Sequence, residues 1–320
     1  MLSRFAPAAA LALMAWVPAQ AQSPLSVVAT VGMIGDVAQT IGGSCVAVET
    51  MMGPGIDPHL YQATARDVQT LNDADLILYS GYGLEGQLGD VFRRYSERVP
   101  TLAVAEAGIP ATDLIVTDEA AGVDPHVWMD VALWARTVPA IAGALSELVP
   151  DCAPQIDANA ERYSAELAAL DGWAKDAIAS IPPDQRVLVT AHDAFAYFGR
   201  AYGIDVNGIQ GISTQSEAAI ADIRQTADLI VAQGVPAIFV ESTINPRTIQ
   251  AVIEAVRQAG QPIEIGGELY SDAMGDPDTV GGNYIGMLYS NTLAISEALG
   301  GTPPALPEGL TDWANQWSLN

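Results

Sequence analysis

Basic residues are scarce in this 320-residue chain: 13 Lys and Arg stand against 38 Asp and Glu, for a formal net charge of −25. A surface of that sign offers no basic face, which excludes nucleic acid as a partner. The same excess of acid keeps a protein soluble and favours the approach of cations. Cysteine occurs twice, at Cys45 and Cys152, with neither a CxxC pair nor an adjacent histidine, which argues against a thiolate metal site. Whether the two bridge is left open, although export would permit it. Beyond the N-terminus no apolar run is long enough to cross a bilayer, so no stable membrane insertion is expected. Two hydrolase signatures are missing: no GxSxG occurs, and no histidine is followed by the rest of an HExxH motif. Histidine itself is rare, with three in the chain.

The first residues, "MLSRFAPAAALALMAWVPAQA", combine one basic residue (Arg4), an apolar run from about Ala8 to Val17, and Ala19-Gln20-Ala21. This is the layout of a cleavable secretory signal. Residues 1–21 are therefore expected to be removed, with the mature chain starting near Gln22 in the periplasm. No cysteine stands at the cleavage point, so a free rather than lipid-anchored protein is expected. Roughly 300 mature residues exceed what one core usually organises, and two domains are the expectation.

Along the chain, short β-rich runs alternate with helical ones, which predicts parallel α/β units. "LSVVATV", "VAVETMM", "ADLILYSG" and "TLAVAEAG" read as strands, with helices around Ile34–Ile41 and over "ARDVQTLNDA", the latter started by a capping box of Thr64 and Asp67. The pattern changes at Pro154. From there to Ile181, apolar residues Ile156, Ala160, Tyr163, Leu167, Leu170, Ala174, Ala177 and Ile181 step by three or four, one buried stripe on a single helix of roughly 40 Å. Pro154 suits its first turn, and Pro182-Pro183 stops it. Afterwards "RVLVTAHDAF", "AIFVEST" and "PIEIGGELY" read as strands, "AAIADIRQTADLIVAQG" and "NPRTIQAVIEAVRQAG" as helices, and "NYIGMLYSNTLAISEALG" as the helix that closes the chain. The prediction is an α/β protein of two lobes with parallel-type sheets, residues 22–152 and 183–320, joined by a backbone helix at 153–182.

Two of the three histidines share one context, Asp-Pro-His, at His59 in "GIDPHLYQATARD" and at His126 in "GVDPHVWMD". The prolines push Asp57 and Asp124 toward an extended backbone, so each imidazole is presented by a stiffened loop. The third, His192, ends the strand "VLVTA" and leads into "DAFAYFGRAYG". Ligand sites of open α/β sheets form at the carboxyl ends of strands, and each histidine occupies a strand-end or loop position. A strand-end histidine is commonly just hydrogen-bonded. Neutral imidazole is also the commonest zinc ligand, and three would leave a tetrahedral ion one ligand short. Asp272, just beyond "PIEIG", is the best local candidate for the fourth, with Glu268, Asp276 and Asp278 competing in the same loop. Glu241, at the end of "AIFVES", reads as a buried structural acid or a residue supporting the ligands from behind. Asp193, beside His192, reads as a helix cap.

The ordered segments "GIDPHLYQATARDV", "DPHVWMD", "VTAHDAFAYFGRAYGI", "AIFVESTINPRTIQAV" and "IGGELYSDAMG" resemble the landmarks of the metal-binding solute-binding proteins of ABC transporters, the cluster A-I family of TroA-like and ZnuA-like proteins. The likeness covers essentially the whole mature chain. It implies two lobes bridged by a rigid helix, with one divalent ion in the cleft held by His59 and His126 from the first lobe and His192 and Asp272 from the second. It also implies delivery to the permease of an ABC importer, by a protein acting as a monomer and not as an enzyme. Three nitrogens and a carboxylate favour Zn2+ as the cargo, with Mn2+ the alternative. Manganese-dedicated members commonly carry Glu where this chain has His192, and the histidine-rich loop of many ZnuA-like members has no counterpart before His126. A secreted zinc-dependent hydrolase using the same ligands is the alternative of another class.

Overall fold

In a computed structural model of the chain, residues 23–118 and 122–319 are described; the signal segment expected at residues 1–21 lies outside them. The first lobe is built on four strands, β1 (Leu25–Val31), β2 (Val46–Met52), β3 (Leu76–Tyr79) and β4 (Thr101–Ala103), all parallel in the order β2-β1-β3-β4. Val27, Val28, Ala29 and Val31 of β1 are all buried, the near-continuous apolar run of a strand covered on both faces. In the second lobe β5 (Val187–His192) pairs in parallel with β6 (Asp205–Gln210), and β7 (Ala237–Glu241) with β8 (Glu264–Leu269). Strands β5 and β7 lie side by side between these pairs, so the carboxyl ends of both second-lobe pairs reach the same level.

The backbone helix runs over Ala153–Ala179, 27 residues, with a proline in its first turn. Ile156, Tyr163, Leu167, Leu170, Trp173, Ala174, Ala177 and Ile178 are its buried stripe. That stripe packs against helices Gly32–Gly42 and Val138–Leu148 of the first lobe and Tyr284–Ala298 of the second. A single apolar cluster consequently runs without a break from Val27 and Ile34 through Trp128, Trp134 and Tyr163 to Phe198, Tyr202 and Tyr284. Polar ties cross the same region: Tyr163 OH and the Tyr284 backbone N–H both donate to Asp36 Oδ2, at 3.3 and 3.0 Å. Asp36 is buried, which pushes its carboxyl up to about 6 against those two hydrogen bonds.

Several elements depart from the sequence-based expectation. "TLAVAEAG" is a strand for three residues only and then turns into the short helix Val104–Gly108, as its Ala and Glu favour. Strand β6, "DVNGIQ", carries polar residues and a glycine that hide its period. The helix Leu88–Tyr95 and the helix Val138–Leu148 also escaped the reading. Tyr284–Ala298 does not close the chain: the polypeptide continues to a last helix, Thr311–Gln316, whose Trp313 indole donates to Asn283 Oδ1 at 3.0 Å. Asp193 does not occupy a cap position: the next helix starts at Ala196 and its N-cap is Phe195. The capping box at Thr64 and Asp67 is present as expected.

Cys45 and Cys152 form a disulfide, tying the turn before β2 to the residue preceding the backbone helix. The bridge closes a sequence separation of 107 residues, for which loop entropy contributes about 4–5 kcal/mol to stability. Replacing both cysteines by serine should lower the unfolding free energy in a denaturant titration by about that amount; equal stability would show the bridge to be thermodynamically idle. Because the core is continuous across the lobes, solution scattering should show little compaction when metal is added. A large fall in radius of gyration would contradict that.

Candidate metal centre

Each candidate side chain stands at the carboxyl end of a strand or in the loop beyond it. His59 follows β2 through the Gly53–Pro58 loop, His192 is the last residue of β5, Glu241 the last of β7, and Asp272 comes three residues after β8. His126 precedes a short 3-10 turn, Val127–Met129. Topology brings all of them to one place between the lobes, where His59, His126, His192 and Asp272 offer ligand atoms that lie within 4.8 Å of one another.

The spacing has a specific meaning. His59 Nε2 is 3.3 Å from His126 Nε2 and 3.6 Å from Asp272 Oδ2. His126 Nε2 lies 3.3 Å from Asp272 Oδ1, and His192 Nε2 lies 3.3 Å from Asp272 Oδ2. Metal–ligand bonds of about 2.0–2.1 Å with tetrahedral angles place ligand atoms roughly 3.3–3.4 Å apart. The four separations given have the spacing of neighbouring ligands around one small cation. Because its two oxygens face different imidazoles, the Asp272 carboxylate could also chelate and raise the coordination number. His192 Nε2 and both Asp272 oxygens are buried without a hydrogen-bond partner among the described residues, a costly state for polar atoms unless a cation satisfies them.

The competing acids separate by burial. Asp272 is 1% exposed, whereas Glu268, Asp276 and Asp278 face solvent. Trp128, two residues after His126, reaches across the cleft and donates its indole N–H to the Ser271 carbonyl at 2.9 Å. Tyr284 OH in turn donates to the Trp128 carbonyl at 2.7 Å. The backbone carrying Asp272 is thereby docked against the backbone carrying His126.

Behind the four side chains, carboxylates hold two of the imidazoles. Asp124 Oδ1 accepts both the His126 backbone N–H, at 2.9 Å, and Nδ1 of the same ring, at 2.7 Å. Glu241 does the same for His192, with Oε1 on the backbone N–H at 2.9 Å and Oε2 on Nδ1 at 2.5 Å. A carboxylate on Nδ1 fixes the tautomer and aims Nε2 inward. Glu241, expected either as a buried structural acid or as support behind the ligands, is buried and contacts His192. The parts played by Asp57 and Asp124 were missed. The signal lay in the motif itself: in both Asp-Pro-His copies the aspartate accepts the backbone N–H of the histidine two residues on, at 2.8 Å in the first copy.

Electrostatics divides the imidazoles. Burial would lower His126, but the Asp272 and Asp124 carboxylates raise it to about 9. Burial opposes protonation of His192 too, and Glu241 and Asp272 overcome it, raising that ring well above the ordinary range. His59 goes the other way: burial takes it down to about 4 despite the pull of Asp272. Burial would raise Asp272, yet His192 and His126 hold it well below the usual carboxylate range.

Comparison with known proteins places this centre in context. The family model described as "Zinc-uptake complex component A periplasmic" matches residues 27–298. The manganese-binding lipoprotein MntA of Bacillus subtilis is 45% identical over 279 residues, covering 87% of this chain and 91% of that protein. The zinc-binding protein TroA of Treponema pallidum is 45% identical over 273 residues, 85% of this chain and 88% of that one. The solved structure of periplasmic TroA from the same organism superposes with a TM-score of 0.84 at 44% identity, covering 86% of this chain and 99% of that one. Fe(III)-bound YtgA from Chlamydia trachomatis superposes at 0.79 with 27% identity, covering 88% and 99%.

Raised rings favour the protonated form and a lowered one disfavours it, so an ion entering a set of these four residues would displace protons from His126 and His192 rather than from His59. Calorimetric titration of the metal-free protein with zinc at pH 7, in buffers of different ionisation enthalpy, should report about two protons released per ion. Buffer-independent heats would contradict this assignment.

Proposed function

Because the chain belongs to the family of periplasmic zinc-uptake complex components, we propose that it captures a single divalent transition-metal ion between its lobes and delivers it to the permease of an ABC importer. Members of this family are solute-binding proteins of metal importers and not enzymes, and the hydrolase alternative falls with that. The reading rests above all on one observation: three imidazole nitrogens and one carboxylate, buried, drawn from both lobes and all within 4.8 Å, with each imidazole 3.3–3.6 Å from the carboxylate. His59 and His126 act as ligands from the first lobe, His192 and Asp272 from the second, with Glu241 and Asp124 supporting two of the rings.

Three nitrogens and a hard oxygen in tetrahedral spacing suit zinc better than manganese, which favours oxygen-rich octahedra. Zinc is accordingly the favoured cargo. Manganese is the second reading, supported by the 45% identity to the manganese-binding MntA and by the two Asp272 oxygens, which allow a higher coordination number. The site is exported by the N-terminal signal and works in the periplasm as a monomer, between residues 22–152 and 183–320, with 153–182 as the spine. No helix among the described residues is long and apolar enough to cross a membrane.

The decisive test loads chelator-stripped protein with zinc and manganese in competition and measures bound metal. One ion per chain is expected, zinc in preference, with binding abolished in His59→Ala, His126→Ala and His192→Ala; full retention in all three would overturn the site. Glu241→Gln keeps every ligand but weakens the hold on His192, and should lower zinc affinity by about 10–100-fold. An unchanged affinity would show that Glu241 is structural only.

A further inference from the structure

The two Asp-Pro-His loops look alike up to one point and then diverge. In the second, Asp124 spends the same oxygen on the His126 backbone and ring. In the first, Asp57 Oδ1 accepts the His59 backbone N–H, and Oδ2 accepts a 2.6 Å hydrogen bond from the hydroxyl of Thr214, which belongs to the other lobe. One carboxylate thus connects a residue holding the ion to the far side of the cleft.

Thr214 is buried, although it sits in an irregular loop, 211–219, that forms the second lobe's rim. The loop is held from below by Gln210, whose side-chain amide donates to the carbonyls of Thr214 at 3.0 Å and Ser216 at 2.7 Å. Gln210 is the strand partner of His192 at the end of β5 and β6. A continuous connection therefore runs from His59 through Asp57, Thr214 and Gln210 to His192, looping around the outside of the four ligands.

This connection lies on the solvent side. His59 is 6% exposed, against 0%, 0% and 1% for His126, His192 and Asp272. It lines a cavity of about 730 Å³ at the mouth of the cleft, together with Ser213, Gln215 and Ser216 of the same rim. Further cross-lobe ties near the site, among them Trp128 to Ser271, Tyr284 OH to the Trp128 carbonyl and Tyr197 OH to the Asp124 carbonyl, are buried on the inner side. His59 and the rim are thus the part of the site nearest solvent, the expected way out for an ion that leaves the inner ties intact.

We propose that the Asp57–Thr214 hydrogen bond is a clasp across the mouth of the cleft, and that it sets how fast the bound ion is released by holding His59 in place. Asp57 and Thr214 are positioning residues in this scheme: neither offers an atom to the ion, and both act through His59. The inference rests on the metal-capture function proposed above. A hydrogen bond to a carboxylate contributes enough that its loss should accelerate release by about tenfold, with the ligand set unchanged.

Thr214→Val keeps the side-chain shape and removes the donor; Thr214→Ser keeps the donor and removes a methyl. Zinc-loaded full-length protein is mixed in stopped flow with an excess of a chromogenic chelator, and cobalt(II) spectra report the ligand set. The expected result is release about tenfold faster in T214V, near the unsubstituted rate in T214S, and one cobalt spectrum for all three. A T214V rate within twofold of the unsubstituted protein overturns the clasp while leaving the metal site standing. So does equal acceleration in both variants, which would assign the effect to packing, or an altered cobalt spectrum in T214V. If the unsubstituted protein binds no zinc, the clasp falls together with the function on which it rests.

Discussion

Asp272 is a carboxylate taken out of water, and the site around it is organised to make that tolerable. A lone ion in a protein interior costs several kcal/mol unless other charges and hydrogen bonds compensate it. Here compensation comes from His126 and His192, and neither ring is sequence-local to Asp272. The partners of this one acid come from both lobes, so the relative placement of the lobes is part of the same balance. The backbone helix, the continuous apolar cluster and the Trp128–Ser271 hydrogen bond hold that placement. A protein with independently mobile halves would expose the carboxylate each time they separated. Rigidity of the frame and burial of the ligands are therefore one requirement.

How much of this was legible in the sequence depends on the range of the signal. The histidines stood out because they are few and because two share a tripeptide, a purely local pattern. The helix was legible because its buried positions repeat every three or four residues over seven turns, and proline marks each end. Asp272 was legible only up to a choice among four acids in one loop. Burial separates them, and burial depends on how β8 packs against helix Tyr284–Ala298, which no local pattern encodes. The pairing of Cys45 with Cys152 and the reach of Asp57 to Thr214 join residues more than a hundred positions apart. Nothing in either neighbourhood announces the other.

The same distinction explains the secondary-structure errors. "TLAVAEAG" begins as an apolar run and was extended as a strand, but the Ala-Glu-Ala stretch follows its own helix propensity once Ala103 has finished pairing with Tyr79. Strand β6 was missed because its burial is set by its partner β5 and not by its own composition. In Asp-Pro-His the proline reads as a stiffener of the backbone. The aspartate's larger part, accepting the histidine backbone N–H, is a side-chain hydrogen bond that the residue type permits and only the turn geometry realises.

The protonation pattern of the rings has a consequence for what the site can tell apart. If the two raised rings, His126 and His192, each gave up a proton as one divalent cation entered, the exchange would be of equal formal charge and the buried cluster would carry the same charge loaded or empty. A monovalent ion entering by the same exchange would leave the cluster one unit too negative, and a trivalent ion one unit too positive, each in a region shielded from solvent. On the proposed ligand set, each imbalance would leave an uncompensated charge buried in a low-dielectric interior, which is costly. Bond length and coordination number would then remain to separate one doubly charged metal from another, with the two Asp272 oxygens facing different imidazoles.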